Sequence, residues 1–297
     1  MPHDHHHRAP TTHGRAFALG IGLNLGFVLV EAAFGVWANS MALLADAGHN
    51  LSDVLGLVLA WVAAVLALRP ASARYTYGLR AGSILAALFN AVFLLAALGW
   101  MVWEAVGRLS SPQPVAEGIV MVVAGIGILI NGFTAWLFVG GQGDLNIRGA
   151  YLHMVADAAV SAAVVLAALA MLLTGWLWLD PVVSLAVCAV ILWSGWELLR
   201  DSLALALGAV PPGIDPAEVS AMLHGQPGVA SVHDLHIWAV GTTQTALTAH
   251  LVMPGGHPGD GFLVALTHAL EHRFGIGHAT IQVETDAATC ALAGHCA

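Results

Sequence analysis

The chain has 297 residues, of which 58% are hydrophobic and only 9% charged, whereas a soluble domain averages about 25% charged residues. Its formal net charge is −9, and its nine basic residues are all arginine, with no basic run. That balance excludes a nucleic-acid-binding protein and points to a chain embedded in a bilayer.

Residues 1–15 are polar and carry His3, His5, His6, His7 and His13. They lack the apolar stretch of a signal peptide and read as a disordered, cytoplasmic, metal-collecting tail. Six apolar spans follow near 16–38, 41–68, 81–105, 115–140, 149–174 and 179–200, near or above the roughly 20 residues that cross a membrane as a helix. The fourth is rich in glycine (Gly118, Gly125, Gly127, Gly132), which permits close helix approach. Arg8, Arg15, Arg69, Arg74, Arg80, Arg148 and Arg200 flank the spans on one side, and Arg108 lies on the other. By the positive-inside bias, both termini are expected in the cytoplasm.

The second span contains Ala45-Asp46-Ala47-Gly48-His49-Asn50-Leu51-Ser52-Asp53. His49 and Asp53 are four apart, so a helix presents them on one face. The fifth span repeats the device with His153 and Asp157. One such pair alone could line a water cavity or bond a neighbouring helix. Ionisable groups are costly in a bilayer, and the same spacing twice points to function. Two imidazoles and two carboxylates make a tetrahedral, zinc-type ligand set. Asp46, one turn before His49, reads as a supporting or pathway residue, since the two pairs already complete four-coordination.

From Gly208 the composition changes, and Pro211-Pro212-Gly213 marks a boundary. The reading is therefore a tail over 1–15, a six-helix membrane domain over 16–207 and a soluble domain over 208–297. In the last, Asp215 caps a helix over Pro216–His224. Strands follow at Ser231–Val240 and Thr245–Met253, then a helix at Gly261–Phe274 and a strand at His278–Glu284. That order predicts a small α+β layer fold with helices on one face. Its histidines include His224, His233, His236, His250, His257, His268, His272, His278 and His295. His236 and His250 lie on the two strands of the predicted hairpin. With His278, Glu284, Cys290 and Cys296 they are candidates for a cytoplasmic metal site. The Cys290–Cys296 spacing is not that of a zinc knuckle. Cys188, in the sixth span, reads as packing.

These residues resemble the cation diffusion facilitator family. The resemblance rests on Leu43 to Asp53, on Tyr75-Thr76-Tyr77-Gly78 with Arg80, and on His153 with Asp157. In the last domain it rests on Val232-His233-Asp234-Leu235-His236-Ile237-Trp238 and Thr280-Ile281-Gln282-Val283-Glu284. It implies a zinc-type bacterial transporter rather than an enzyme, a homodimer of the inner membrane. Divalent cations would leave the cytoplasm in exchange for protons through His49, Asp53, His153 and Asp157. Zn2+ is the implied substrate, and a structural or regulatory ion besides; Cd2+, Co2+, Ni2+ and Fe2+ also suit such a site. The resemblance further implies a copper-chaperone-like, ferredoxin-like cytoplasmic domain and a charge interlock between Arg80 and Asp201. Two rival readings are a membrane-anchored metal sensor and a membrane-embedded metallohydrolase. The first would not need two buried His-Asp pairs. The second would need a His-Glu-x-x-His pair and an open coordination position, and neither is evident.

Overall fold

The computed structural model describes residues 14–139 and 145–286. The histidines of the N-terminal tail, Cys290, His295 and Cys296 lie outside these. Six helices come first: α1 (Gly14–Ala38), α2 (Met41–Ala67), α3 (Gly82–Ser110), α4 (Glu117–Phe138), α5 (Leu145–Thr174) and α6 (Leu179–Ala206). Helices α2 to α6 are each long and apolar enough to cross a membrane, and α1 has an apolar stretch over Asn24–Ala38. The ends differ from the hydropathy reading. Helix α3 runs on to Ser110 and α6 to Ala206, while α5 already begins at Leu145, so Arg148 lies inside its first turn. Helical hydrogen bonds are local, and polar flanking residues extend a helix that nothing breaks.

Leu29, Trp37, Trp61, Trp100, Trp103, Leu129, Leu173 and Trp193 are exposed, a surface suited to lipid rather than water. Inside, Phe27, Leu43, Val120, Val123, Val164 and Met171 form one buried cluster, and Met41, Leu94, Leu98, Met101, Val187 and Ile191 another. In lipid such helices are held by close packing and interhelical hydrogen bonds. Of the four glycines named in the fourth span, Gly127 makes the close approach, while Gly118, Gly125 and Gly132 have open space beside them. A Cβ on Gly127 would lie 2.9 Å from Phe27 Cζ and 3.0 Å from Ser161 Oγ.

The turn before α2 is tied down from several elements. Asn39 is left-handed at φ 55°, a conformation Asn tolerates. Arg108 donates to the Asn39 carbonyl at 2.7 Å and to its side-chain oxygen at 2.8 Å. Ser40 donates to the buried Asp180 carboxylate, which also accepts from the N–H groups of Met41 (2.8 Å) and Ala42 (3.3 Å). An acid on α6 thus caps α2, whose first N–H groups have no partner within their own helix.

The C-terminal domain runs α7 (Pro216–His224), β1 (Ser231–Gly241), β2 (Gln244–Val252), α8 (Asp260–Phe274) and β3 (His278–Glu284). Asp215 accepts from the Ala217 N–H at 2.8 Å, with Pro216 opening the helix. The sheet order is β1-β2-β3; β1 pairs antiparallel with β2, and β2 parallel with β3. Val219 and Leu223 of α7, and Leu266 and Leu270 of α8, share a buried cluster with Leu247, Ala249 and Leu251 of β2. Side chains alternate along a strand, so His250 points to the face opposite that cluster. The fold is a helical membrane domain followed by a small α+β domain.

The described residues fall into two compact units, one drawn from 14–58, 90–139 and 145–196, the other from 59–89 and 197–286. Within the second, the β1–β2 turn meets the start of α3. Thr242 N–H donates to Ser83 Oγ at 3.0 Å, and a Cβ on Gly241 would lie 2.9 Å from the Arg80 carbonyl oxygen. Only glycine fits there without a shift.

Candidate metal centres

Helix α2 carries His49 and Asp53, and α5 carries His153 and Asp157, each pair one turn apart. The fold brings the pairs face to face. His49 Nε2 lies 3.6 Å from Asp53 Oδ2 and 3.6 Å from Asp157 Oδ1. His153 Nε2 lies 3.1 Å from Asp53 Oδ2 and 3.5 Å from Asp157 Oδ2. Imidazoles and carboxylates therefore alternate around one centre, with the two rings edge-to-face at 5.8 Å. Ligands about 2.0–2.1 Å from a tetrahedral zinc stand about 3.3–3.4 Å apart, and the four spacings straddle that value. His49, His153 and Asp157 each bring a ligand atom within 4.8 Å of the others. Exposure is uneven around the site. The Asp157 side chain is 3% exposed, against 36% for Asp53 and 41% for His153.

Among the described residues no hydrogen bond joins Asp46 to His49. Asp46 is wholly buried, and its Oδ2 accepts from Ser161 Oγ at 3.0 Å, one turn beyond Asp157 on α5. Asn50 donates to Glu31 of α1 at 3.2 Å.

A second cluster lies on the sheet. His233 of β1 and His250 of β2 are register partners, with ring centroids 5.1 Å apart. Glu284 of β3 reaches both, at 2.9 Å from His250 Nδ1 and 3.3 Å from His233 Nε2. These three offer ligand atoms within 4.8 Å of one another. Asp234 bridges outward, 3.3 Å from His250 Nε2 and 2.9 Å from His236 Nε2.

Of the six residues read as candidates for this site, His250 and Glu284 are in it. His236 touches it only through Asp234, because the pairing slips between His233 and His236 and His236 faces Thr248. The slip is a β-bulge with Asp234 at φ 51°, and a bulge re-aims the side chains around it. A hairpin reading that fixes no register names His236 and His250 together and passes over His233. His278 stands elsewhere. It meets the Tyr77 ring edge-to-face at 5.3 Å, beside a cavity of about 400 Å³ that Arg80 and Glu271 also line. Cys290 and Cys296 are outside the described residues. Cys188 is a buried free thiol in α6. Asp201 pairs with Arg200 at 3.0 Å, and no ion pair joins it to Arg80 among the described residues.

Two family descriptions match the chain, the cation efflux transmembrane domain over residues 18–205 and the cation efflux protein cytoplasmic domain over 211–286. The chain belongs to the cation efflux family. Its relatives in this family of multi-pass membrane transporters include the zinc transporter ZitB of Escherichia coli (strain K12), 37% identical over 96% of this chain and 93% of the relative. The cadmium, cobalt and zinc/H(+)-K(+) antiporter of Bacillus subtilis (strain 168) is 35% identical over 97% and 93%. The metal cation efflux system protein CzcD of Cupriavidus metallidurans is 36% identical over 94% and 89%. The solved metal-bound C-terminal domain of CzcD is 42% identical, covering 24% of this chain and 99% of that one, with a TM-score of 0.23. The resemblance to cation diffusion facilitators is thereby borne out.

Proposed function

We propose that this cation efflux protein exports divalent cations, zinc foremost, in exchange for protons, through a tetrahedral site of His49, Asp53, His153 and Asp157. The observation that carries the reading is the alternating ring of two imidazole nitrogens and two carboxylates, with spacings of 3.1–3.6 Å. Nitrogen with carboxylate oxygen suits zinc, and accommodates Cd2+, Co2+, Ni2+ and Fe2+ with less discrimination. The names of the relatives, which include zinc, cadmium and cobalt transporters, agree with that range.

A metal takes neutral imidazole and ionised carboxylate, so loading displaces the protons those groups hold. Imidazole is a side chain that takes up and sheds a proton readily, so His49 and His153 can carry protons when no metal is bound. The empty site then returns protonated, and the loaded site carries the dication across, in an alternating-access cycle. Asp157, nearly closed off, anchors the ion, while Asp53 and His153 face its entry.

The arginine asymmetry supports a bacterial inner-membrane protein with both termini in the cytoplasm. Membrane and cytoplasmic functions divide near residue 208, and the family of the C-terminal domain supports a homodimer. The His233, His250 and Glu284 cluster there is read as a structural or regulatory metal site, with Asp234 orienting His250.

Purified protein in sealed vesicles tests the transport reading. An opposing proton gradient should drive zinc accumulation, and a protonophore should abolish the uphill part. Accumulation that persists after the gradient collapses, with no other energy source, rules proton exchange out.

A further inference from the structure

Beside the four candidate ligands, the helix bundle holds two carboxyl groups to which the transport site gives no role. Glu31 of α1 and Asp46 of α2 are both 0% exposed. Each has one oxygen accounted for, Glu31 Oε2 by the Asn50 amide at 3.2 Å and Asp46 Oδ2 by the Ser161 hydroxyl at 3.0 Å. The two carboxyls lie within hydrogen-bonding reach of each other. Glu31 Oε1 and Asp46 Oδ1 are buried and receive no donor among the described residues. An ionised carboxylate only accepts hydrogen bonds. Two ionised carboxylates in contact, cut off from water and without a cation, repel each other at high cost. One proton resolves both problems, because a carboxylic acid O–H donates to the free oxygen of its neighbour.

The charged groups that act on the pair are Asp157 of α5, a further negative charge, and His49 of α2. Helix α4, which packs on α1, adds no charged group beyond Glu117 in its first turn. The pair is wired to the metal site through both ligand-bearing helices. Asp46 lies one turn before His49 on α2, and its partner Ser161 one turn after Asp157 on α5.

We propose that Glu31 and Asp46 form a proton seat of the transport cycle, separate from the metal ligands, that holds one shared proton while the metal site is empty and releases it when a dication binds. On release the carboxylic O–H bond breaks, its electron pair stays on the carboxylate, and the proton passes to water that reaches the pair when the alternating-access step opens the bundle. The negative charge left behind offsets part of the incoming double positive charge. This rests on the metal site proposed above.

The test is calorimetric zinc titration of the full-length protein in buffers of different ionisation enthalpy, which counts protons released per zinc. A His233→Ala background keeps the sheet cluster from contributing. Glu31→Gln and Asp46→Asn should each bind zinc in the same ratio and release one proton fewer. An unchanged count overturns the proton seat. A zinc affinity that becomes potassium-dependent, with the proton count unchanged, assigns the pair to a metal cation and also overturns it. Loss of the membrane site itself is read separately, because Asp157→Ala would then leave zinc binding unaltered. Should the two variants fail to fold, infrared spectroscopy on Asp53→Asn/Asp157→Asn decides. That protein lacks the ligand carboxyls and should still show the C=O stretch of a buried protonated carboxylic acid; absence of the band overturns the proposal.

Discussion

In the membrane unit the four candidate ligands sit on two helices at i and i+4, whereas in the C-terminal domain His233, His250 and Glu284 come from three different strands. The helical pairs are produced by local geometry, since any helix over His49–Asp53 puts both side chains on one face. The strand cluster depends on register, which in turn depends on two shifts in the β1–β2 pairing, one at the Asp234 bulge and one near Val240. A shift of one residue in a strand moves every side chain to the other face. Two clusters of similar chemistry therefore differ in how much tertiary structure they need before they exist.

The largest effect expected is at the membrane site. Asp157→Ala or Asp53→Ala should lower zinc flux into vesicles by at least about 100-fold, exceeding the 10–100-fold typical of losing an outer-shell partner. Each leaves a dehydrated dication short of one negative charge. Near-normal flux from either variant, correctly inserted, would remove the helical half of the comparison.

The strand cluster is sharpened by three substitutions in an Asp157→Ala background, with zinc affinity as the readout. His233→Ala should weaken binding about 100-fold. His236→Ala, which acts only through Asp234, should weaken it about 10-fold, at the low end for an outer partner. His278→Ala should leave it unchanged. If His236 and His233 exchange ranks, the bulge does not set the cluster.

A smaller, selective effect is expected of His49→Asp. It makes the membrane site oxygen-rich, and manganese should gain on zinc by about tenfold in competition, since carboxylate sites suit the harder ion. An unchanged flux ratio would count against His49 as a ligand.

The smallest effect concerns the anchoring of α2. Asp180→Asn keeps the shape but removes the charge that caps Met41 and Ala42. It should cost about 1.5–3 kcal/mol, seen as a lower unfolding temperature with the metal site still able to bind zinc. Full stability would show that the α1–α2 turn holds without this cap.

Much was legible before any coordinates. The six spans, the α-β-β-α-β order, the Asp215 cap and both His-x-x-x-Asp pairs follow from hydropathy, short-range capping chemistry and helical periodicity, all of which act within a few residues. What could not be read involves partners far apart in the chain. Ser161 joins Asp46 across 115 positions, and Asp180 caps α2 across 139. Glu31 of α1 bonds Asn50 of α2 in the buried interior, again between two helices. The pairing of Arg80 with Asp201 was expected from resemblance, yet Asp201 turns to its neighbour Arg200.

The sequence by itself therefore determined that this chain lies in a membrane, and that two helices each carry a nitrogen and a carboxylate on one face. Only the tertiary structure decided that the two faces meet at 3.1–3.6 Å, and that His233 rather than His236 opposes His250. Periodicity is a property of the local backbone. Contact between helices, and register beyond a bulge, depend on how distant segments pack, and no window along the chain contains that information.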